Sequence, residues 1–243
     1  MKKILKNIFN YVTLLLERYF SNKIVNFKEI PIIINNKNRY TYLLKLINYL
    51  ESRGYKNIYI LDNKSTYLPL LEFYKKTNYK VFHLNRNYGY LAFWKSFIFL
   101  KFIRSYYVYT DSDVLPIDNC PEDFLDFFRN VLINDVTVKK IGFSLKFDDL
   151  PDTYNSKAKV IDWESKFYSK PINNLLFDSI IDTTFALYRP FSGGGAKLNN
   201  KTYRTAFPYQ AYHLPWYENS NNLTEEQIYY YTNSNYKTFW KIK

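Results

Sequence analysis

The sequence predicts an α/β fold, a doubly wound and mostly parallel sheet preceded by an amphipathic helix. Short branched-aliphatic runs alternate with segments of helical periodicity over residues 29–118. A polar cluster rich in Asn, Asp and Ser follows each apolar run. Parallel strands joined by helices produce this alternation, and ligands of such sheets bind beyond the carboxyl ends of the strands. We therefore expect a binding site among these polar clusters.

Composition narrows the classes of function. A chain of 243 residues that is 47% hydrophobic is not disordered, and one folded domain is expected. The formal charge of +12 suits nucleic acid, an anionic membrane surface or a phosphorylated substrate. Lys and Arg are scattered and no zinc-finger or RNP spacing occurs, so no nucleic-acid partner is expected. The single cysteine, Cys120, excludes an intrachain disulfide and favours a reducing compartment, the cytoplasm.

Residues 1–28 are predicted to form a separate N-terminal segment. Apolar residues recur every three or four positions through residues 2–20, and basic residues interrupt them. This pattern predicts an amphipathic helix too short and too interrupted to span a bilayer. The simplest interpretation is a helix docked on the domain. Peripheral membrane contact or a homodimer through residues 2–20 is the alternative. No small-residue cleavage site follows, so a secretory signal is not expected.

The remaining elements follow in order along the chain. Apolar periodicity predicts helices from 43 to Gly54, around 70–74 and, as one long apolar helix, over 90–103. Strands are predicted at 31–35, 57–61, 80–84 and 106–110. Asp111 and Asp113 directly follow the fourth strand. Two carboxylates one residue apart at a strand end can share a hard divalent cation, although a solvated loop or a helix cap has the same composition.

The four polar clusters resemble the motifs of a known family. They are the first strand with Asn38 and Arg39, and the segments 61–66, 85–89 and 111–113. Together and in this order they resemble the nucleotide-sugar glycosyltransferases of the GT-A fold, a Rossmann-like doubly wound sheet, and within them the family-2-like bacterial and large-virus type. The resemblance covers roughly residues 30–230. It implies one domain over 29–243, with a nucleotide-binding half at 29–118 and an acceptor half at 119–243.

The resemblance also implies a metal-dependent, inverting transfer from a nucleoside diphosphate sugar, a UDP-sugar first, to a saccharide acceptor. Asp62 would read a uracil-type base. Asp113 would bind Mn²⁺ or Mg²⁺ directly, and Asp111 would contact ribose or metal-bound water. His213 is a candidate third metal ligand, since a neutral imidazole can bind a metal. The expected nucleotide contacts are Ile34, Asn35, Asn36, Arg39, Asp62, Asn63, Asn87, Gly89, Asp111 and Ser112.

The resemblance implies that an acidic pair opening a helix carries the catalytic base. Thr224 is a candidate helix cap, and Glu225 and Glu226 follow it. Glu226 is the first choice for the base, Glu225 the second and Asp182 the third. The family commonly has Glu-Asp where this chain has Glu-Glu. Plain complementation of the helix dipole would explain both acids equally well.

Other residues have weaker assignments. Arg189 and Arg204 are candidates for the diphosphate, with ordinary ion pairs as the alternative. Trp216 and Tyr217 could stack on a sugar or pack in the core. His83, inside a predicted strand, is interpreted as structural and buried.

Two further classes of function remain open. A nucleotidyltransferase on a similar sheet would also use paired Asp residues with a divalent ion. That class would favour a glycine-rich loop after the first strand, and residues 31–39 contain no glycine. A non-enzymatic sugar-binding protein is the third possibility, and activity with metal would exclude it.

Overall fold

The computed structural model describes residues 2–21, 26–181, 185–193 and 201–233. The helices are α1 Lys2–Phe20, α2 Tyr40–Ser52, α3 Leu68–Lys76, α4 Ala92–Lys95, α5 Phe124–Asn134, α6 Lys157–Ser165 and α7 Glu225–Asn233. The first six strands are β1 Ile32–Asn36, β2 Ile58–Asp62, β3 Lys80–His83, β4 Tyr107–Asp111, β5 Val114–Pro116 and β6 Val138–Gly142. The others are β7 Ser144–Leu145, β8 Pro171–Asn173, β9 Leu176–Asp178, β10 Ala186–Tyr188, β11 Lys201–Thr205 and β12 Gln210–His213.

Nine of the described strands form one sheet in the order β3-β2-β1-β4-β10-β6-β11-β9-β8. β3, β2, β1 and β4 are parallel neighbours, and β10 runs antiparallel to both β4 and β6. β11 is parallel to β6, and β9 is antiparallel to β11. The predicted α/β class with a mostly parallel sheet is therefore confirmed. The four predicted strands lie within one residue of their expected bounds.

The sheet is covered on both faces, as the uninterrupted apolar character of β1 requires. Ile32, Ile33 and Ile34 are all fully buried. Ile32 and Ile34 belong to the main core, which includes α2, whereas Ile33 belongs to an aromatic cluster with Phe93 and Phe102. Alternate residues of a strand point to opposite faces, so each face of β1 meets its own apolar layer.

The prediction of one long helix over 90–103 is wrong. The segment forms a 3₁₀ turn, the short α4 and a second 3₁₀ turn, and Phe97 between them has φ of 61°. Phe93 and Phe102 both pack in the aromatic cluster, with ring centroids 5.9 Å apart. Nine residues of continuous α-helix, at about 100° each, would place these two rings on opposite faces. The break at Phe97 lets both rings cover the sheet.

α1 is helical as predicted and docks through its polar side. The Glu17 carboxylate accepts hydrogen bonds from the buried Arg189 at 2.8 Å and from the Tyr106 hydroxyl at 3.0 Å. Most of the large apolar residues described on α1 are exposed, so the docking contact is polar. Within the described parts of the chain, no helix has the length and apolar character needed to cross a bilayer.

Candidate functional site

The site begins where β1 and β4 end side by side. Asn35 pairs with Asp111 in the parallel register, and its side-chain amide donates to Asp111 Oδ1 at 2.8 Å. This bond orients the Asp111 carboxylate. The other amide atom, Asn35 Oδ1, is buried and has no hydrogen-bond partner among the described residues. A buried acceptor without a partner costs free energy, so this oxygen is suited to a ligand donor or a cation.

Asp113 lies beside His213 because a second, three-stranded sheet forms beneath the acid pair. β12 runs antiparallel to β5 and pairs His213 with Val114. The His213 Nε2 atom lies 3.8 Å from Asp113 Oδ2, and each side chain is 17% exposed. This separation is too long for a direct hydrogen bond. The two side chains are adjacent and accessible enough to share a ligand.

The residues fit a hard cation, although they do not form a complete cage. The structure, over its described residues, has no group of three or more His, Cys, Asp or Glu side chains positioned to hold a metal ion. Asp111, Asp113 and the Asn35 amide oxygen are oxygen donors, the type that Mg²⁺ and Mn²⁺ prefer. Such ions often take only one or two carboxylates and complete their shell with phosphate and water. The metal assignment, including His213 as a ligand, stays a prediction.

A buried ion pair stands next to the loop after β1. Arg39 donates to Glu218 at 3.0 Å, and the side chains are 4% and 1% exposed. Glu218 also accepts hydrogen bonds from the hydroxyls of Tyr42 at 2.5 Å and Tyr231 at 2.6 Å. Burial acts to lower the pKa of Arg39, but the facing Tyr230 and Glu218 outweigh it and raise that pKa. Arg39 is therefore held charged and fixed in place. Sequence reasoning missed Glu218.

α7 packs against the loop that follows β1. The Arg39 guanidinium lies 3.5 Å from the centroid of the Tyr230 ring, a cation–π contact. Burial raises the pKa of Tyr230, and the negative charges of Asp113 and Asp111 act in the same direction against Arg39. Tyr230 thus links α7 electrostatically to the acid pair, a role that sequence reasoning did not foresee.

Asp62 shapes the turn after β2. One carboxylate oxygen accepts from the Ser65 amide at 2.9 Å, and the other lies 3.0 Å from His83 Nδ1. The Asp62 side chain is 6% exposed, whereas that of His83 is 59% exposed. The interpretation of His83 as a buried structural residue is therefore wrong. The base-reading role of Asp62 stays a prediction, and His83 is the accessible partner that sequence reasoning did not assign.

Several expected nucleotide contacts hold the loops together. The Asn36 side chain is buried, donates to the Tyr74 hydroxyl at 2.9 Å and accepts from Ser112 Oγ at 2.7 Å. The Asn63 side chain donates to the Gly89 carbonyl at 3.1 Å and accepts from the Tyr88 amide at 2.8 Å. Their hydrogen-bonding capacity is largely used inside the protein. These side chains connect neighbouring loops, and their assignment as nucleotide contacts stays a prediction.

Two more of the expected nucleotide contacts also have structural partners, and their assignment stays a prediction. The Ile34 side chain is fully buried in the main core. Asn87 accepts from the Gly89 amide at 2.9 Å and so forms a local turn. The loop over 85–89 is attached to the β2 loop through this turn and Asn63.

The candidate bases fall in different places. Both oxygens of Glu226 accept from the Thr41 amide, at 3.0 and 3.1 Å, and one accepts from Thr41 Oγ1 at 2.7 Å. Glu226 thereby caps the first turn of α2. Glu225 is exposed at the start of α7, where Thr224 accepts from the Gln227 amide as the expected cap. Asp182 lies outside the described residues. No measurement separates these candidates, so the base assignment stays a prediction.

The two arginines suggested for the diphosphate are structural. Arg189 pairs with Glu17, and Arg204 pairs with the buried Glu164 at 2.8 Å. Both arginine side chains are buried. Their alternative interpretation as ordinary ion pairs is confirmed.

Trp216 and Tyr217, the two rings suggested for stacking on a sugar, both make contacts within the protein. Trp216 is buried and packs against the His213 ring, with centroids 4.7 Å apart. The Tyr217 hydroxyl donates to Asp149 at 2.6 Å. Of the two rings, only the half-buried Tyr217 retains an accessible surface.

No protein-family model matches the chain, and no curated protein matches it. Among solved structures, it is similar to S. aureus TarS residues 1–349, with 15% identity, a TM-score of 0.44, and coverage of 75% of this chain and 59% of that one. A mannosyltransferase from Pyrobaculum calidifontis in complex with GDP-Man and Mn²⁺ shares 14% identity at a TM-score of 0.41, over 76% of this chain and 52% of that one. A cytidylyltransferase from Leptospira borgpetersenii has 14% identity and a TM-score of 0.36, over 50% of this chain and 56% of that one.

The chain thus spans between 52% and 59% of the length of these structures. Likenesses this distant carry no argument about activity. The fold and the site themselves define a mixed α/β protein that gathers two carboxylates, an unpaired amide oxygen and a fixed arginine at the carboxyl edge of its parallel strands.

Proposed function

We propose that this protein is a glycosyltransferase that takes a nucleoside diphosphate sugar, a UDP-sugar first, as donor and a saccharide hydroxyl as acceptor. The observation that carries the proposal is the Asn35–Asp111 pair, which holds a carboxylate in place and leaves a buried amide oxygen that no described residue bonds. Both groups lie where parallel α/β sheets bind nucleotides. The second carboxylate, Asp113, lies two residues further on. The four resembling motifs lie in the loops that meet at this edge.

Each residue has a distinct role in this proposal. Asp113 and Asp111 hold a divalent ion, and Asn35 fixes the orientation of Asp111. The ion, when bound, neutralises charge on the leaving diphosphate. Arg39, held by Glu218 and Tyr230, orders the loop that follows β1 at this edge. Asp62 and the exposed His83 present a polar edge at the end of β2 and β3 for the base.

The metal role is tested with Asp113→Asn and a matched control. We expect Asp113→Asn to lose manganese-dependent binding of UDP and of UDP-sugars, because it removes a charged oxygen donor. Asp118→Asn removes the same charge from an exposed residue outside the acid pair and should behave as wild type. Calorimetric titration of UDP with and without Mn²⁺ measures the difference directly. Manganese-dependent binding of wild-type strength in Asp113→Asn would exclude this role.

The nucleobase role of Asp62 predicts a different result. Asp62→Ala should weaken binding of free uridine and of UDP alike, since base recognition does not depend on the metal. His83→Ala retains the carboxylate and serves as the comparison. If uridine affinity is unchanged in Asp62→Ala, the residue only shapes its turn.

The catalytic base is tested by separating binding from turnover. We propose Glu226 as the first candidate, and a base acting only on the acceptor should cost about two to four orders of magnitude in transfer while donor affinity is kept. Glu226→Gln and Glu225→Gln form a matched pair on one helix turn. Thermal unfolding of both variants separates this effect from the loss of the Thr41 cap. A normal transfer rate in Glu226→Gln, with Asp182→Asn inactive at normal donor affinity, would move the base to Asp182.

The products distinguish the classes of function. A glycosyltransferase releases the nucleoside diphosphate, whereas a nucleotidyltransferase releases inorganic diphosphate from a nucleoside triphosphate. Binding of UDP-sugars without any turnover would favour the sugar-binding alternative. The anomeric configuration of the product, read by NMR, tests the proposed inversion.

A further inference from the structure

α1 carries an apolar strip that faces away from the domain. The strip consists of Ile8, Tyr11, Val12, Leu15, Leu16 and Tyr19, whose exposed fractions range from 36% to 69%. At about 100° per residue these positions share one side of the helix. Thr13, which is buried, and Glu17, which pairs with Arg189, lie on the opposite side. The helix therefore presents its apolar side to the surroundings and its polar side to the protein.

A neighbouring segment extends this surface. Arg104 donates from Nε to the Phe20 carbonyl at 2.9 Å and so joins the end of α1 to the segment that follows α4. In that segment Phe97 and Leu100 are 68% and 58% exposed. Isolated exposed apolar residues are common, but a whole helix side joined to two more such side chains marks an interaction surface.

The sequences of α1 and of the adjoining segment carry an excess of positive charge. α1 contains Lys2, Lys3, Lys6 and Arg18, and its one acid, Glu17, is paired with Arg189. The adjoining segment over residues 95–105 contains three basic residues, Lys95, Lys101 and Arg104, and no acid. An anionic surface complements this pattern. A symmetric dimer through the strip would instead bring two copies of the same basic surface together, which electrostatic repulsion opposes.

We infer that α1 lies in the surface of an anionic lipid bilayer, with the apolar strip inserted among the acyl chains and the exposed Arg18 at the headgroups. Amphipathic helices that bind bilayers combine an apolar side with flanking Lys and Arg in this manner. Tyr11 and Tyr19 suit the boundary because their rings are apolar and their hydroxyls are polar.

This inference does not rest on the proposed activity. α1 docks where β4 begins, through Tyr106, whereas the candidate site lies where β4 ends, at Asp111. The membrane surface and the nucleotide site therefore occupy opposite ends of the sheet and can be tested separately.

The experiment is flotation of the full chain with phosphatidylcholine vesicles, with and without phosphatidylglycerol. We expect the wild type to float with the anionic vesicles, less so as salt is raised, and to remain unbound with phosphatidylcholine alone. Ile8→Glu/Leu15→Glu should weaken binding to anionic vesicles by at least about tenfold, because two apolar side chains no longer insert. Ile161→Glu/Ile172→Glu is the matched control at exposed isoleucines of α6 and β8, and it should float as the wild type does.

Circular dichroism and the midpoint of thermal unfolding of the strip variant verify that it is folded. No flotation of the folded wild type would overturn the inference, and equal binding to uncharged vesicles would overturn its electrostatic part. Light scattering supplies the remaining outcome. A concentration-dependent dimer that the strip variant abolishes, without vesicle binding, would make a second copy of the chain the occupant and refute the bilayer.

Discussion

Replacing Glu218 by glutamine tests the reasoning about the buried ion pair most sharply. The substitution keeps the size of the side chain and removes its charge, which leaves the Arg39 guanidinium buried without a counter-ion. Glu218 and Arg39 are 1% and 4% exposed, so water cannot replace the lost partner. Breaking one side of a buried pair typically destabilises a protein by about 3–5 kcal/mol.

The same residue joins three parts of the site. Glu218 accepts from Arg39 in the loop after β1, from Tyr42 in α2 and from Tyr231 in α7. Its replacement should therefore weaken nucleotide binding as well as stability, since Arg39 lies close to the acid pair. At about 2–4 °C per kcal/mol for a protein of this size, the midpoint of thermal unfolding should fall by roughly 6–20 °C.

The assay is urea unfolding followed by Trp fluorescence, with Glu72→Gln as the control. Glu72 pairs with Lys75 at 2.6 Å, but these side chains are 55% and 69% exposed, so the control should unfold at the same urea concentration as the wild type. The double variant Arg39→Met/Glu218→Gln should recover part of the loss, because no buried charge remains unpaired. Equal stability of Glu218→Gln and the wild type would refute the account of this pair.

Three further predictions concern the rest of the molecule. Glu17→Gln should destabilise the fold and increase proteolysis of α1, because Arg189 is buried against it; unchanged cleavage would contradict the docking role. Burial raises the pKa of the Cys120 thiol to about 12, so iodoacetamide near pH 8 should label it only after unfolding, and rapid labelling of the native protein would disprove this. Burial acts to raise the pKa of Asp135, but the hydrogen bonds from Lys201, Thr137 and Tyr203 together outweigh it and that pKa is lowered. The depressed pKa stabilises the fold above pH about 4 and less as the pH falls, so Asp135→Asn should be less stable at neutral pH and approach the wild type in acid, as unfolding across pH would measure.

The sequence by itself determined the α/β class, the four parallel strands and the place of the acid pair. These features depend on local patterns, since a buried parallel strand is a short apolar run and a polar cluster follows each run. The prediction that Asp111 follows a strand end required no knowledge of distant contacts. The helical character of residues 2–20 and the cap at Thr224 were equally local.

Tertiary structure decided what local patterns do not encode. Glu218 is separated from Arg39 by 179 positions, and no periodicity marks it as the buried partner. The break at Phe97 follows from two rings that must cover one sheet face. The outward direction of the α1 strip depends on Arg189, which contacts Glu17 from 172 positions away. Hydrophobic periodicity shows that a helix has two sides, but only long-range contacts choose which side meets the protein.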